Sequence, residues 1–130
     1  MKRLLDTNAY AALKRGHAAV EALVRESTEL VFSTLVIGEL LFGFRNGSRT
    51  ERNIRELDEL LSDGRVSVLS VSRTTADRFS RIAAGLRRAG RPIPTNDIWI
   101  CAHVFESGAE LVTFDAHFEH VNGLVWTRPG

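Results

Sequence analysis

A chain of 130 residues with a formal net charge of +1 has the length of a single domain, 1–130, able to bury about two-thirds of its unfolded surface. No apolar run reaches the ~18 residues of a membrane span, and Met1-Lys2-Arg3 leads directly to a short apolar stretch and an aspartate, unlike a signal peptide. These features exclude a membrane-spanning protein, predict a cytoplasmic one, and provide no whole-molecule electrostatic field that would by itself announce a nucleic-acid partner.

Taken in chain order, Arg3-Leu4-Leu5 predicts a short strand ending at Asp6, and Asp6-Thr7-Asn8 offers caps to a helix beginning near Tyr10 and broken at Gly16. A second helix places Val20, Leu23 and Val24 on one face. Leu30-Val31-Phe32 is the next strand, after which Ser33-Thr34 caps an apolar helix from Leu35 to about Phe44. Asn46-Gly47-Ser48 is a turn, and Ile54, Leu57, Leu60 and Leu61 mark one face of a helix that ends at Asp63-Gly64. Val66 to Val71 reads as a strand. Thr74-Thr75 then caps a helix with Phe79, Ile82, Ala83 and Leu86 inward, stopped by Gly90. Arg91-Pro92-Ile93-Pro94 interrupts helical structure, and Thr95-Asn96 caps a helix from Asp97 to about Glu106. Leu111 to Phe114 is a strand ending at Asp115, and Leu124-Val125-Trp126 is a short last one. Strands separated by helices, without two-residue hairpins, predict a three-layer α/β/α sandwich with a mainly parallel central sheet.

In such sheets ligands bind beyond the carboxyl ends of the strands, where Asp6 and Asp115 fall. Glu39 lies in a stretch whose other residues, Leu35 to Phe44, are all apolar or glycine. That helix is expected to be largely buried, and an ionised carboxylate inside it needs a partner. Asp97 opens the similarly apolar Ile98-Trp99-Ile100-Cys101-Ala102. Four acids at one place would repel one another unless cations lay between them. Oxygen donors without Cys or His favour Mg²⁺ or Mn²⁺, one or two ions, over Zn²⁺, and such ions can acidify water for attack on a phosphodiester. Taken singly, Asp6 and Asp97 are also ordinary residues for helix N-termini, and Asp115 for a turn.

In order, Leu4-Leu5-Asp6-Thr7-Asn8, Gly38-Glu39-Leu40-Leu41-Phe42-Gly43, Asn96-Asp97-Ile98 with Ala102, and Leu111-Val112-Thr113-Phe114-Asp115-Ala116-His117-Phe118 resemble the four motifs of the PIN-domain family. Within it they are similar to the VapC toxins of prokaryotic toxin–antitoxin pairs. The resemblance covers essentially the whole chain. It implies a metal-dependent endoribonuclease that acts on RNA, forms a homodimer or a toxin–antitoxin hetero-oligomer, and is held inactive by a cognate antitoxin. It further implies that Asp6, Glu39, Asp97 and Asp115 are the acidic set, supported by Thr7, Asn8 and Thr113. Metal-activated water would cleave to leave a 5′-phosphate and a 3′-hydroxyl, with Asp115 the member most apt to act through a water.

Other residues carry less. His117 and His120 fit no standard zinc spacing and follow a strand end, which reads against a ligand role. His103, six residues after Asp97, lies about 240° around an ideal helix and points away. Cys101 reads as a buried small hydrophobe. Of the 17 basic residues only Lys2 and Lys14 are lysines, a bias expected of phosphate binding and equally of a GC-rich genome. Arg45, Arg87, Arg88 and Arg91 could line an RNA path or form solvated helix ends. Leu41, Phe42, Phe44 and Trp99 exceed what one small core needs, which suggests a dimer or antitoxin surface. Competing functions are a phosphatase-type aspartate site, a non-catalytic PIN-fold RNA-binding or interaction subunit, and a DNA nuclease. The first lacks its second aspartate, since Asn8 stands there, and has no lysine after Lys14. No glycine-rich loop ends in Gly-Lys, so a P-loop is absent. Intact acids weigh against the second, and a length that leaves little room for clamp segments weighs against the third.

Overall fold

Three apolar segments form the centre of the sheet. Leu4 and Leu5 are fully buried, as are Phe32, Leu111 and Val112, with Val31 nearly so. In the computed structural model, which describes all 130 residues, these belong to β1 (Lys2–Leu5), β2 (Glu29–Ser33) and β4 (Glu110–Val112). The remaining elements are α1 (Thr7–Lys14), α2 (Ala18–Glu26), α3 (Thr34–Arg45), α4 (Thr50–Leu61), β3 (Val66–Leu69), α5 (Arg73–Ala89), α6 (Thr95–Ser107), a 3₁₀ turn (Ala116–His120) and β5 (Trp126–Thr127). Each fully buried Leu or Phe in such a core contributes roughly 1.5–3 kcal/mol, and Leu111→Ala would cost about 2–5 kcal/mol.

The sheet is parallel throughout, in the order β3-β2-β1-β4-β5. The chain moves outward from β1 through β2 to β3, then returns across the sheet to lay β4 on the other side of β1. Parallel crossovers are right-handed, so α1 to α4 and the pair α5–α6 cover opposite faces, giving the expected α/β/α sandwich. The reversal creates a topological switch point between β1 and β4, with Arg3 opposite Glu110 and Leu5 opposite Val112. The amide of Asp6 extends this pairing to the Val112 carbonyl at 3.3 Å. No helix is long and apolar enough to cross a membrane.

The element boundaries show which local forces outweigh the sequence pattern. Helix α1 begins at Thr7, three residues before the expected start, because Asp6 itself is the N-cap and accepts from the Ala9 amide at 2.9 Å. Strand β3 stops at Leu69, not Val71. Ser72 beyond it opens α5 through a reciprocal box with Thr75, displacing the expected Thr74-Thr75 cap. Helix α6 starts directly after Pro94, whose fixed φ suits a helix entrance, so Thr95 and Asn96 are helical and do not cap. Strand β4 ends at Val112, and the Thr113 hydroxyl then accepts the Asp115 amide at 3.0 Å as the chain turns. Helix α3 departs most. Only Val36 and Leu40 are buried, and Phe42 is 70% exposed. The expected burial of this helix is therefore wrong, because its apolar residues encircle it and one side meets solvent.

Candidate metal centre at the carboxyl edge of the sheet

Four elements deliver the acids to one cleft. Asp6 leaves β1 and caps α1, Glu39 is in α3, Asp97 lies in the first turn of α6, and Asp115 caps the 3₁₀ turn after β4. The cleft, about 510 Å³, is lined by Asp6, Thr7, Asn8, Glu39, Pro94, Thr95, Asn96, Asp97 and Asp115, without a hydrophobic side chain. All four predicted acids, together with Thr7 and Asn8, thus share one wall. Thr113 is fully buried behind them.

Each carboxylate has a distinct setting. Asp6 is only 8% exposed and spends Oδ1 on the Ala9 amide. Burial raises its carboxyl above the ordinary value of 3.8. Hydrogen bonds from Thr113 and the Ala9 amide oppose that rise, and the charges of Asp97 and Asp115 add to it. Thr113 therefore bridges two of the acids, its hydroxyl accepting from the Asp115 amide and serving Asp6. Glu39 accepts from the Thr7 hydroxyl at 2.6 Å and from the Asn96 amide at 3.5 Å, which ties α3 to the starts of α1 and α6. These contacts, and not enclosure within an apolar helix, fix its direction. The Asp97 carboxyl is also raised, by burial first. His117 works against that rise, while Glu39 and Asp115 reinforce it. Asp115 is the most open of the four, its side chain 48% exposed.

Sequence spacing reads against a ligand role for His117, yet its ring stands against two of the acids. Nδ1 lies 2.9 Å from Asp115 Oδ1 and Nε2 lies 2.8 Å from Asp97 Oδ2. Nε2 is fully covered and makes no aligned hydrogen bond despite that short distance, so the approach is oblique. One donor atom each from Asp97, Asp115 and His117 fall within 4.8 Å of one another. The available signal was Asp115-Ala116-His117. A capping aspartate opening a tight 3₁₀ turn returns the residue two positions on toward its own side chain. The ring thus lies against two of the four acids, a placement that the sequence spacing did not show.

The other expected residues divide clearly. His103 is fully buried away from the cleft, with Nδ1 2.8 Å from Ser33 Oγ and Nε2 3.2 Å from the Ser70 carbonyl. His120 lines a separate cavity with Arg81, Arg91 and Phe105. Cys101 is buried, its thiol pushed up to about 12 by burial and then by Asp97. Arg45, Arg87, Arg88 and Arg91 are exposed. Trp99 stacks on Phe79, ring centres 4.0 Å apart.

No lysine or arginine comes within ion-pair distance of the four acids; only His117 does. The donor set is oxygen-rich and short of positive charge, which fits a divalent cation. The PIN domain family model matches residues 3–124. Ribonuclease VapC1 of Haemophilus influenzae (strain R2866) is 30% identical over 128 residues, spanning 95% of this chain and 94% of its own length. Among solved structures, VapBC-1 from nontypeable Haemophilus influenzae superposes with a TM-score of 0.85 at 28% identity, covering 98% of both chains. DNA-bound VapBC from Salmonella typhimurium does so with a TM-score of 0.86 at 26% identity, again over 98% of both. With the family pattern matched from the first strand to the end of the last loop, and its acids gathered at the switch point of the sheet, this chain belongs to the PIN domain family.

Proposed function

We propose that this chain is the toxin of a toxin–antitoxin pair, an endoribonuclease dependent on Mg²⁺ or Mn²⁺. The observation that carries the reading is the set of carboxylates at the switch point with no lysine or arginine to balance them. Its chemistry matches the ribonuclease named among the relatives, and the structural neighbours include a member of the VapBC family of toxin–antitoxin systems.

Asp6, Glu39, Asp97 and Asp115 would hold the ion or ions. A divalent ion supplies neutralising charge at a phosphodiester and acidifies water in its vicinity. The chain's own residues do the positioning. Thr7 and Asn96 hold Glu39 toward the cleft, and Thr113 couples Asp6 to the turn that presents Asp115. With four carboxylates and several hydroxyl and amide groups in its lining, the cleft suits a metal-bridged sugar-phosphate backbone better than an apolar ligand. Exposed Arg87, Arg88 and Arg91 sit where α5 gives way to the loop that reaches Pro94 at the cleft, and we assign them to the RNA backbone. The antitoxin would cover the cleft and supply the missing cation with a basic side chain. The exposed Phe42 face of α3 is the apolar surface available to a protein partner, antitoxin or second copy.

The test is cleavage of single-stranded RNA by the purified chain with Mg²⁺ or Mn²⁺, set beside excess EDTA and Asp97→Asn. Cleavage confined to the first condition, leaving 5′-phosphate ends, supports the reading. Full cleavage in EDTA or by the variant overturns it, and RNA binding without cleavage would indicate a binding module. Growth arrest on expression should be relieved by the product of the neighbouring small reading frame.

A further inference from the structure

The contacts of His117 are not those of a histidine serving only to fill space. Its ring packs at 4.7 Å against Phe118, which is almost fully buried, and its two nitrogens face two different carboxylates at 2.8 and 2.9 Å. A neutral imidazole has one N–H and one lone pair. If Nδ1 carries the hydrogen, it donates to Asp115, and the lone pair of Nε2 is left beside an oxygen of Asp97. Two electron-rich atoms at that distance repel unless a proton or a metal ion lies between them. Nε2 is also fully covered and makes no aligned hydrogen bond to that oxygen, and one donor atom each from Asp97, Asp115 and His117 lie within 4.8 Å of one another, the grouping that a shared ion requires. The spacing is that of neighbouring ligands around an ion with donor distances of about 2.1 Å, whose adjacent donors stand roughly 3 Å apart.

We infer that His117 is a metal ligand through Nε2, sharing a divalent ion with Asp97, while Asp115 acts behind it by accepting from Nδ1. This rests on the metal-dependent reading above and changes one part of it. Asp115 becomes the carboxylate of a carboxylate–histidine–metal chain, fixing the tautomer and ring direction. A nitrogen donor among oxygens also shifts preference from Mg²⁺ toward Mn²⁺.

Pulsed electron paramagnetic resonance on the full chain loaded with Mn²⁺ alone tests this without recourse to activity. Modulation from an imidazole nitrogen is expected in the wild type and absent in His117→Gln. Mn²⁺ affinity by calorimetry should fall at least about tenfold in His117→Gln, less in Asp115→Asn, and Mg²⁺ affinity should fall less than Mn²⁺ affinity in both. Circular dichroism checks that the variants fold, and Asp115→Asn keeps the test open if His117→Gln does not. Mn²⁺ binding that depends on Asp97 but shows no nitrogen modulation overturns the inference and leaves the metal reading standing. Tighter Mn²⁺ binding by His117→Gln also overturns it, since the ring would then be a counter-charge that the ion displaces. Failure of the wild type to bind Mn²⁺ or Mg²⁺ removes both.

Discussion

Strand β1 carries a buried charge at each end, and the two ends treat it differently. Arg3 and Asp6 are each 8% exposed and only three residues apart. At the amino edge the protein answers Arg3 from within. Its Nε donates to Glu110 at 2.9 Å, and NH1 donates to the Leu23 carbonyl at 3.0 Å and to Ser27 Oγ at 3.2 Å. Glu26 stands 4.0 Å from NH2. At the carboxyl edge Asp6 meets other acids, whose charges push its carboxyl further up. A buried charge satisfied from within belongs to the scaffold. One surrounded by its own kind awaits something from outside, and the contrast separates architecture from chemistry along a single strand.

Substitutions at the two ends should therefore have opposite signatures. The largest effect is expected from Asp6→Asn or Asp97→Asn, which should lower RNA cleavage by at least on the order of 10²–10³-fold. In EDTA both should melt no lower than wild type, since each removes a carboxylate from a crowded group; a large fall in melting temperature would show that the acids are structural. Arg3→Met should cost about 3 kcal/mol in urea unfolding by stranding Glu110, whose side chain is 17% exposed. The folded fraction should cleave RNA at the wild-type rate, and a specific loss of cleavage would blur the division between the edges. Thr7→Val removes the 2.6 Å bond to Glu39 and should reduce cleavage about tenfold, read from kcat/KM at saturating metal. Ser33→Ala removes the α3 cap and a partner of His103, and should cost about 1 kcal/mol of stability.

The mildest difference should appear against pH. An acid whose folded pKa is raised holds its proton in the native state at pH values where the unfolded chain has released it. Asp6 and Asp97 therefore contribute a loss of stability to the metal-free protein as pH rises from about the ordinary 3.8 through their elevated values, opposite in sign to the contribution of the lowered carboxyls of Glu56, Asp63 and Asp77. Thermal scans in EDTA should show the Asp97 share as a difference in slope between wild type and Asp97→Asn, and Mg²⁺ should offset it at the upper end. A wild-type slope unchanged by Asp97→Asn would mean that the crowding is relieved in some other way.

The parallel sheet and its helices were legible because turns, caps and apolar runs are local signals, and the four acids were legible because three sit at strand ends or helix entrances. Glu39 was found by an argument that the structure corrects. An apolar sequence implies a buried helix only if every side has a neighbour, and α3 has none beneath Phe42. His117 was missed because its place depends on a 3₁₀ turn that folds the chain back on Asp115, a geometry with no periodicity to read. The capping box at Ser72 and the entrance of α6 at Pro94 show the same limit. The hydrogen bonds of Ser72 and the fixed φ of Pro94 each moved a helix start by about two residues without altering the order of the elements.

The pairing of β1 with β4 joins Arg3 to Glu110, residues 107 positions apart, and Asp6 and Asp115 stand just beyond that pair. The acidic centre is therefore made by a long-range pairing, not by any local segment. It exists only while β4 lies against β1, and opening that one seam would disperse its carboxylates and expose the sheet in the same event.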